Sequence, residues 1–145
     1  MAARRIVLGV DGSIGAAAAL DWCIQCAPPL DAEVIAVHVL DVGPLYFGPA
    51  TIAALQPPIA QVRRDRVAML EKWAEPLADA GVQHRTELVD GLPAPQLDQV
   101  AIDEDADLIV VGRRGTGGFA ELLLGSVPHA LAHHAHRPVL IVPAA

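Results

Sequence analysis

The chain has 145 residues, 53% of them hydrophobic but only 3% aromatic, and a formal net charge of −7. This length predicts one domain, and a core of Val, Ile, Leu and Ala suits a helix-covered parallel sheet better than an aromatic-rich β-sandwich. The acidic balance speaks against a nucleic-acid-binding surface, and no apolar run nears the ~18 residues that span a bilayer.

Two arginines precede the first apolar stretch, as in a signal peptide, but Asp11 cuts the stretch short, so an unprocessed cytoplasmic protein is expected. That stretch, Ile6-Val7-Leu8-Gly9-Val10, reads as a strand buried on both faces. Asp11-Gly12-Ser13 turns the chain, with Ser13 as N-cap of a helix carrying Ala16, Leu20, Cys23 and Ala27 at helical spacing until Pro28-Pro29 stops it. Residues 33–42 form a second strand. Residues 43–58, rich in Gly and Pro, make a long connection of the kind that is more often functional than accidental. A helix over 59–80 places Val67, Leu70, Ala74 and Leu77 on one face, with a kink expected at Pro76.

A strand over 83–89 ends at Gly91. Pro93 and Pro95 open a shorter helix carrying Leu97, Val100 and Ala101, and Asp107-Leu108-Ile109-Val110-Val111 reads as a buried strand. Ser126 is expected to cap a last helix reaching about residue 135, before the strand Val139-Leu140-Ile141-Val142. The order βαβαβαβαβ predicts an α/β fold: an open, mostly parallel, Rossmann-like five-stranded sheet with helices on both faces. In such sheets ligands bind beyond the carboxyl ends of strands where strand order reverses. Two segments qualify: residues 10–13, and the loop "VVGRRGTGGFAELLLGSV" at 110–127, which holds five of the chain's twelve glycines and no lysine.

Glycine permits close approach of a ligand to the backbone, and a helix N-terminus offers unpaired N–H groups and partial positive charge to a phosphate. Gly112 and Gly115 follow a strand, and Gly125-Ser126 precede a helix, so amides from both ends can cradle a polyphosphate, with the Ser126 hydroxyl adding a donor. A Walker A motif is excluded, because Leu124 precedes Gly125-Ser126 where a Lys-Ser/Thr pair would be required. A dinucleotide fingerprint matches Gly115-Thr116-Gly117-Gly118-Phe119-Ala120 only in outline, since position 135 is Ala where an acid is expected. The plain alternative is a loop whose glycines bind nothing.

The spacing G-x2-G-x9-G-[ST] is met by Gly112, Gly115, Gly125 and Ser126. Together with "IVLGVDGS" at the start, "VHV" in the second strand, "ADLIVVG" before the loop and "RPVLIVP" at the end, it resembles the universal stress protein family over nearly the whole chain. The resemblance implies ATP binding. Asp11 would lie beside the nucleoside, the Val39 backbone would meet the adenine, and Gly112 and Gly115 would approach ribose and phosphates. Gly125, Ser126 and Val127 would hold the phosphate end. Val10, Ser13 and Val111 at the strand ends, with Arg113 and Arg114, complete the expected cofactor-binding set. It also implies homodimers formed through the last strand, 139–142, where an edge exposes unpaired backbone groups and Pro143 limits the pairing.

Asp11 reads equally as a ribose or metal partner or as a turn residue bonding its own backbone. Arg113 and Arg114 read as substitutes for a phosphate lysine or as solvated side chains. They are bulkier than usual between these glycines, and Gly117-Gly118 loosens the loop, which predicts lower affinity. Trp22-Cys23-Ile24-Gln25-Cys26 imitates a thioredoxin motif, but Cys23 lies ten residues past the cap on the apolar stripe, which predicts core packing. His129, His133, His134 and His136 predict an exposed stripe with no acidic partner, and His38 a structural role.

No general base or Walker B-like acidic pair accompanies the loop, so the expected function is a nucleotide-gated module: ATP with Mg²⁺, a homodimer, and a protein partner. A slow ATPase or an autophosphorylating enzyme modified at Ser126 or Thr116 is the alternative. An interaction domain that takes AMP or nothing is the third.

Overall fold

The computed structural model describes residues 4–41, 43, 57–114 and 124–144. In chain order they form β1 (Arg4–Gly9), α1 (Ile14–Cys26), β2 (Ala32–Leu40), α2 (Ile59–Asp79), β3 (His84–Asp90), α3 (Pro93–Asp103), β4 (Leu108–Gly112), α4 (Ser126–His134) and β5 (Val139–Val142). The strands pair in parallel in the order β3-β2-β1-β4-β5, so the chain builds outward from β1 to one side and returns through β4 to the other. The reversal lies between β1 and β4, the two strands whose ends the sequence pattern singles out.

Alternation along the buried strands divides the core. Ile6, Leu8, Val34, Ala36 and Val110 face Ala19, Leu20 and Cys23 of α1 and Leu70, Ala74 and Leu77 of α2. Val7, Ile35, Val37, Ile109 and Val111 face Leu97, Val100 and Ala101 of α3 and Leu131 of α4. Residues at i, i+3, i+4 and i+7 give each helix its apolar stripe, and burying them supplies the main drive for folding.

Several boundaries differ from expectation. β1 begins at Arg4, because the Arg4 and Arg5 backbones pair beside Ala32 and Glu33 while their side chains stay exposed. β3 and β4 each sit one residue later than the apolar pattern suggests. Val67 is 38% exposed; Val62 takes its place on the buried face of α2. That helix runs on through Pro76, which lies in its last turn and, lacking an N–H, cannot donate to the Lys72 carbonyl. Gly125, not Ser126, is the N-cap of α4, and no side chain caps it.

The two sheet margins are unlike. On β3, Arg85 contacts Glu33 at 3.2 Å, Glu87 at 3.9 Å and also Glu104, while Arg63 pairs with Asp90. On β5 the run Val139-Leu140-Ile141-Val142 carries no charge. Ile109 N–H donates to Pro138 O and Arg113 N–H to Val142 O, so alternation turns the main-chain groups of Val139 and Ile141 outward.

Candidate functional site

β2 is longer than β1. Their ladder ends at Gly9 beside Val37, whereas β2 continues beside β3 as far as Leu40. Val10 N–H still donates to Val37 O at 2.8 Å, which shows that the odd residues of β2 turn their main-chain groups toward β1. Val39 N–H would be next in line for the Val10 carbonyl. His38 Nδ1 donates to that carbonyl at 2.6 Å, and no bond joins it to Val39 N–H. The Val39 N–H and C=O therefore face the space beyond β1 without a hydrogen-bond partner among the described residues.

His38 is 5% exposed. A carbonyl only accepts, so Nδ1 carries the ring proton; Nε2 is then the acceptor for Arg66 Nη1 of α2 at 3.3 Å. Burial holds the imidazole below its ordinary value. The bond to Val10 opposes that shift, the Arg66 charge adds to it, and the Asp11 charge opposes it.

Asp11 Oδ1 accepts from Ser13 N–H at 2.9 Å, closing the turn, and Gly12 between them has φ +80°, which favours glycine. Ser13 Oγ accepts from Ala16 N–H at 3.1 Å and caps α1 as expected. Both readings of Asp11 thus meet in one residue: one oxygen holds the turn, and Oδ2 makes no bond among the described residues.

At the other end of the crevice, β4 and α1 touch backbone to backbone. A Cβ on Gly112 would overlap the Gly15 carbonyl and come within 2.7 Å of its Cα, and one on Gly15 would overlap the Arg114 carbonyl. Gly112 is therefore glycine because of α1, whatever it offers a ligand. Gly15 was not singled out by the sequence reading, although a glycine inside an alanine-rich helix start, costing about 1 kcal/mol against alanine, is a signal of close packing.

Arg113 N–H donates to Val142 O and its carbonyl accepts from Gly125 N–H, each at 2.8 Å. This corrects the expected phosphate cradle, since the Gly125 amide is engaged within the fold. At the start of α4 the Ser126 and Val127 N–H groups remain, both in the first turn where no intrahelical acceptor exists, and Pro128 has no N–H. Ser126 is exposed, so its hydroxyl is accessible. Arg113 is exposed, whereas Arg114 Nε is buried without a partner among the described residues. Val10 and Val111 bury their side chains, and both main-chain groups of Val10 are engaged, so these two shape the crevice. Gly115, Thr116 and residues 117–120 lie outside the described residues, as do 42 and 44–56 of the long connection.

The other sequence features resolve simply. Cys23 is fully buried, and burial, reinforced by Cys26, pushes its thiol up to about 12, the reverse of a redox cysteine. The C-terminal histidines are exposed, with the His129 and His133 rings 4.6 Å apart. His136 does have an acidic partner, Asp98 Oδ2 at 2.7 Å, 38 residues away in sequence and invisible to local spacing. Among the described residues no three potential metal ligands gather, and no helix is long and apolar enough to cross a membrane.

The model of the universal stress protein family matches residues 2–143. The chain belongs to the universal stress protein family. Universal stress protein MJ0531 of Methanocaldococcus jannaschii is 35% identical over 141 residues, covering 96% of this chain and 81% of that one. The solved structure of hypothetical protein MJ0577 superposes with a TM-score of 0.81 at 26% identity, covering 97% of this chain and 95% of its own. A universal stress protein crystallised in complex with cAMP superposes with a TM-score of 0.73 at 28% identity, with 100% of each chain covered.

Proposed function

We propose that this universal stress protein binds ATP across the β1–β4 crevice. The observation that carries the reading is the unpaired Val39 main chain. Its N–H and C=O sit side by side on an extended residue and match the N1 acceptor and N6 amino donor on one edge of adenine. The family relative in complex with cAMP supports an adenine nucleotide as the ligand class.

Asp11 Oδ2 accepts from the ribose hydroxyls. The phosphates lie at the start of α4, where Ser126 and Val127 amides, the Ser126 hydroxyl and the positive end of the helix converge. The buried, unpartnered Arg114 Nε fits an anion, which would satisfy a donor that the fold leaves unmade. Mg²⁺, carried by the phosphates, would neutralise part of their charge. The sequence carries no Walker B-like acidic pair and no dedicated base beside the glycine loop, so in this reading rapid phosphoryl transfer is not expected to follow binding. Ligand binding changes the surface offered to a protein partner.

The uncharged β5 margin, with the Val139 and Ile141 main chains turned outward, supports a homodimer formed through that strand. Titration calorimetry of nucleotide-stripped protein with ATP and Mg²⁺ tests the central claim. Saturable binding without turnover approaching about 1 s⁻¹, the low end for enzymes, is expected; no heat at millimolar ATP overturns it.

A further inference from the structure

In an uninterrupted parallel ladder, the Val39 N–H would close on the Val10 carbonyl as Val10 N–H closes on Val37. The residue that prevents this is the one before it. We propose that His38 is a positioning residue which keeps the nucleotide site open, by capping the Val10 carbonyl and so leaving the Val39 main chain free for the base. The role rests on the adenine reading of Val39 and adds to it the reason that the ladder stops there.

Three features of the pair make this device specific. A ring nitrogen at 2.6 Å engages the Val10 oxygen, because the β2 backbone itself holds His38 beside it, and the ladder bond from Val39 N–H to that oxygen is not made. Arg66 can only donate, so its contact with Nε2 at 3.3 Å fixes the tautomer whose proton lies on Nδ1, the proton that Val10 requires. Arg66, one of five arginines that make no ion pair among the described residues, has His38 Nε2 as its partner instead. A half-buried guanidinium spent on a neutral imidazole is accounted for if setting that tautomer is its work.

The test separates capping from packing. His38→Leu removes the donor while keeping an apolar side chain of similar bulk. The Val10 carbonyl then turns to Val39 N–H, and the slot closes. His38→Asn keeps an N–H at the position of Nδ1. We expect ATP affinity to fall about tenfold or more in His38→Leu, the scale of a lost hydrogen bond with its partner left unsatisfied. His38→Asn should retain most of it. Amide hydrogen exchange of Val39 is the readout that a merely structural residue would not move: fast in the unliganded parent, slowed by ATP, and slowed without ATP in His38→Leu.

Arg66→Met should weaken ATP binding in the parent and not in the His38→Asn background, where no tautomer needs setting. If the parent binds ATP but His38→Leu binds it equally with Val39 still exchanging fast, the inference fails. Loss of affinity in His38→Leu and His38→Asn alike, or equal effects of Arg66→Met in both backgrounds, also overturns it. A parent that binds no adenine nucleotide refutes the reading of the site itself, and a slow Val39 amide in unliganded parent refutes the open slot directly.

Discussion

Replacing Gly112 by alanine adds one methyl group where β4 meets the first turn of α1. The new Cβ would stand 2.7 Å from the Gly15 Cα and closer to its carbonyl, against the 3.4 Å at which ordinary contact begins. Neither partner is a flexible side-chain tip, so the strand end and the helix must separate by about an ångström. The helix cannot move freely, because Ala19, Leu20 and Cys23 anchor it in the core. Overpacking of this kind costs typically 1–3 kcal/mol, and backbone against backbone places it at about 3 kcal/mol. With an unfolding entropy of about 2.1 cal/mol/K per residue, a chain of this length loses roughly 10 °C in Tm. Thermal denaturation followed by circular dichroism measures it. Gly12→Asn is the control, since Gly12 has positive φ but no atom of the described residues within 4 Å of an added Cβ, and Asn tolerates that conformation. Should Gly112→Ala melt within about 2 °C of the parent, the close approach is not what makes this residue glycine.

Three further outcomes follow from the same coordinates. Cys23, with its thiol pushed up to about 12, should resist alkylation at pH 8 while the half-exposed Cys26 reacts; equal rates for the two in native protein would refute the burial. His38 is neutral in the fold and its pKa is lowered, so the unfolded chain takes up its proton more readily. Stability from this residue is therefore complete above the unfolded value of 6.5 and declines as pH falls below it. Urea unfolding between pH 5 and 8 should show that decline, and His38→Asn should flatten it. Ile141→Lys should yield monomers by sedimentation velocity, and an unaltered dimer would place the interface elsewhere.

The order of elements and the apolar strands were legible because each strand is buried on both faces and each helix on one, so periodicity and burial coincide. Ser13 and Gly91 were legible from local turn chemistry. Ser126 was not, because Gly-Ser offers two candidate caps and only the contact of Gly125 with Arg113 decides between them. The same contact withdrew the Gly125 amide from the expected cradle. Val67 misled because a 21-residue helix drifts around its axis relative to any short apolar repeat, and the stripe that reaches the sheet starts from Val62. Gly15, Arg66 and the Asp98–His136 pair depend on contacts between distant segments, to which spacing along the chain is blind. Val39 was placed by family resemblance alone; the reason its backbone is available lies in a side chain one residue before it.

The charged margin of β3 bears on how many copies can gather. A sheet that exposes two receptive margins can add strands at each end and polymerise without limit. Here Arg85 and its carboxylates, with the Arg63–Asp90 pair, occupy one margin, so any chain that docks on β5 meets a growth front that cannot be renewed on the far side. In the proposed homodimer, charge on the β3 margin disfavours further strand addition there, so assembly through β5 is expected to stop at two copies and not to extend into a fibre.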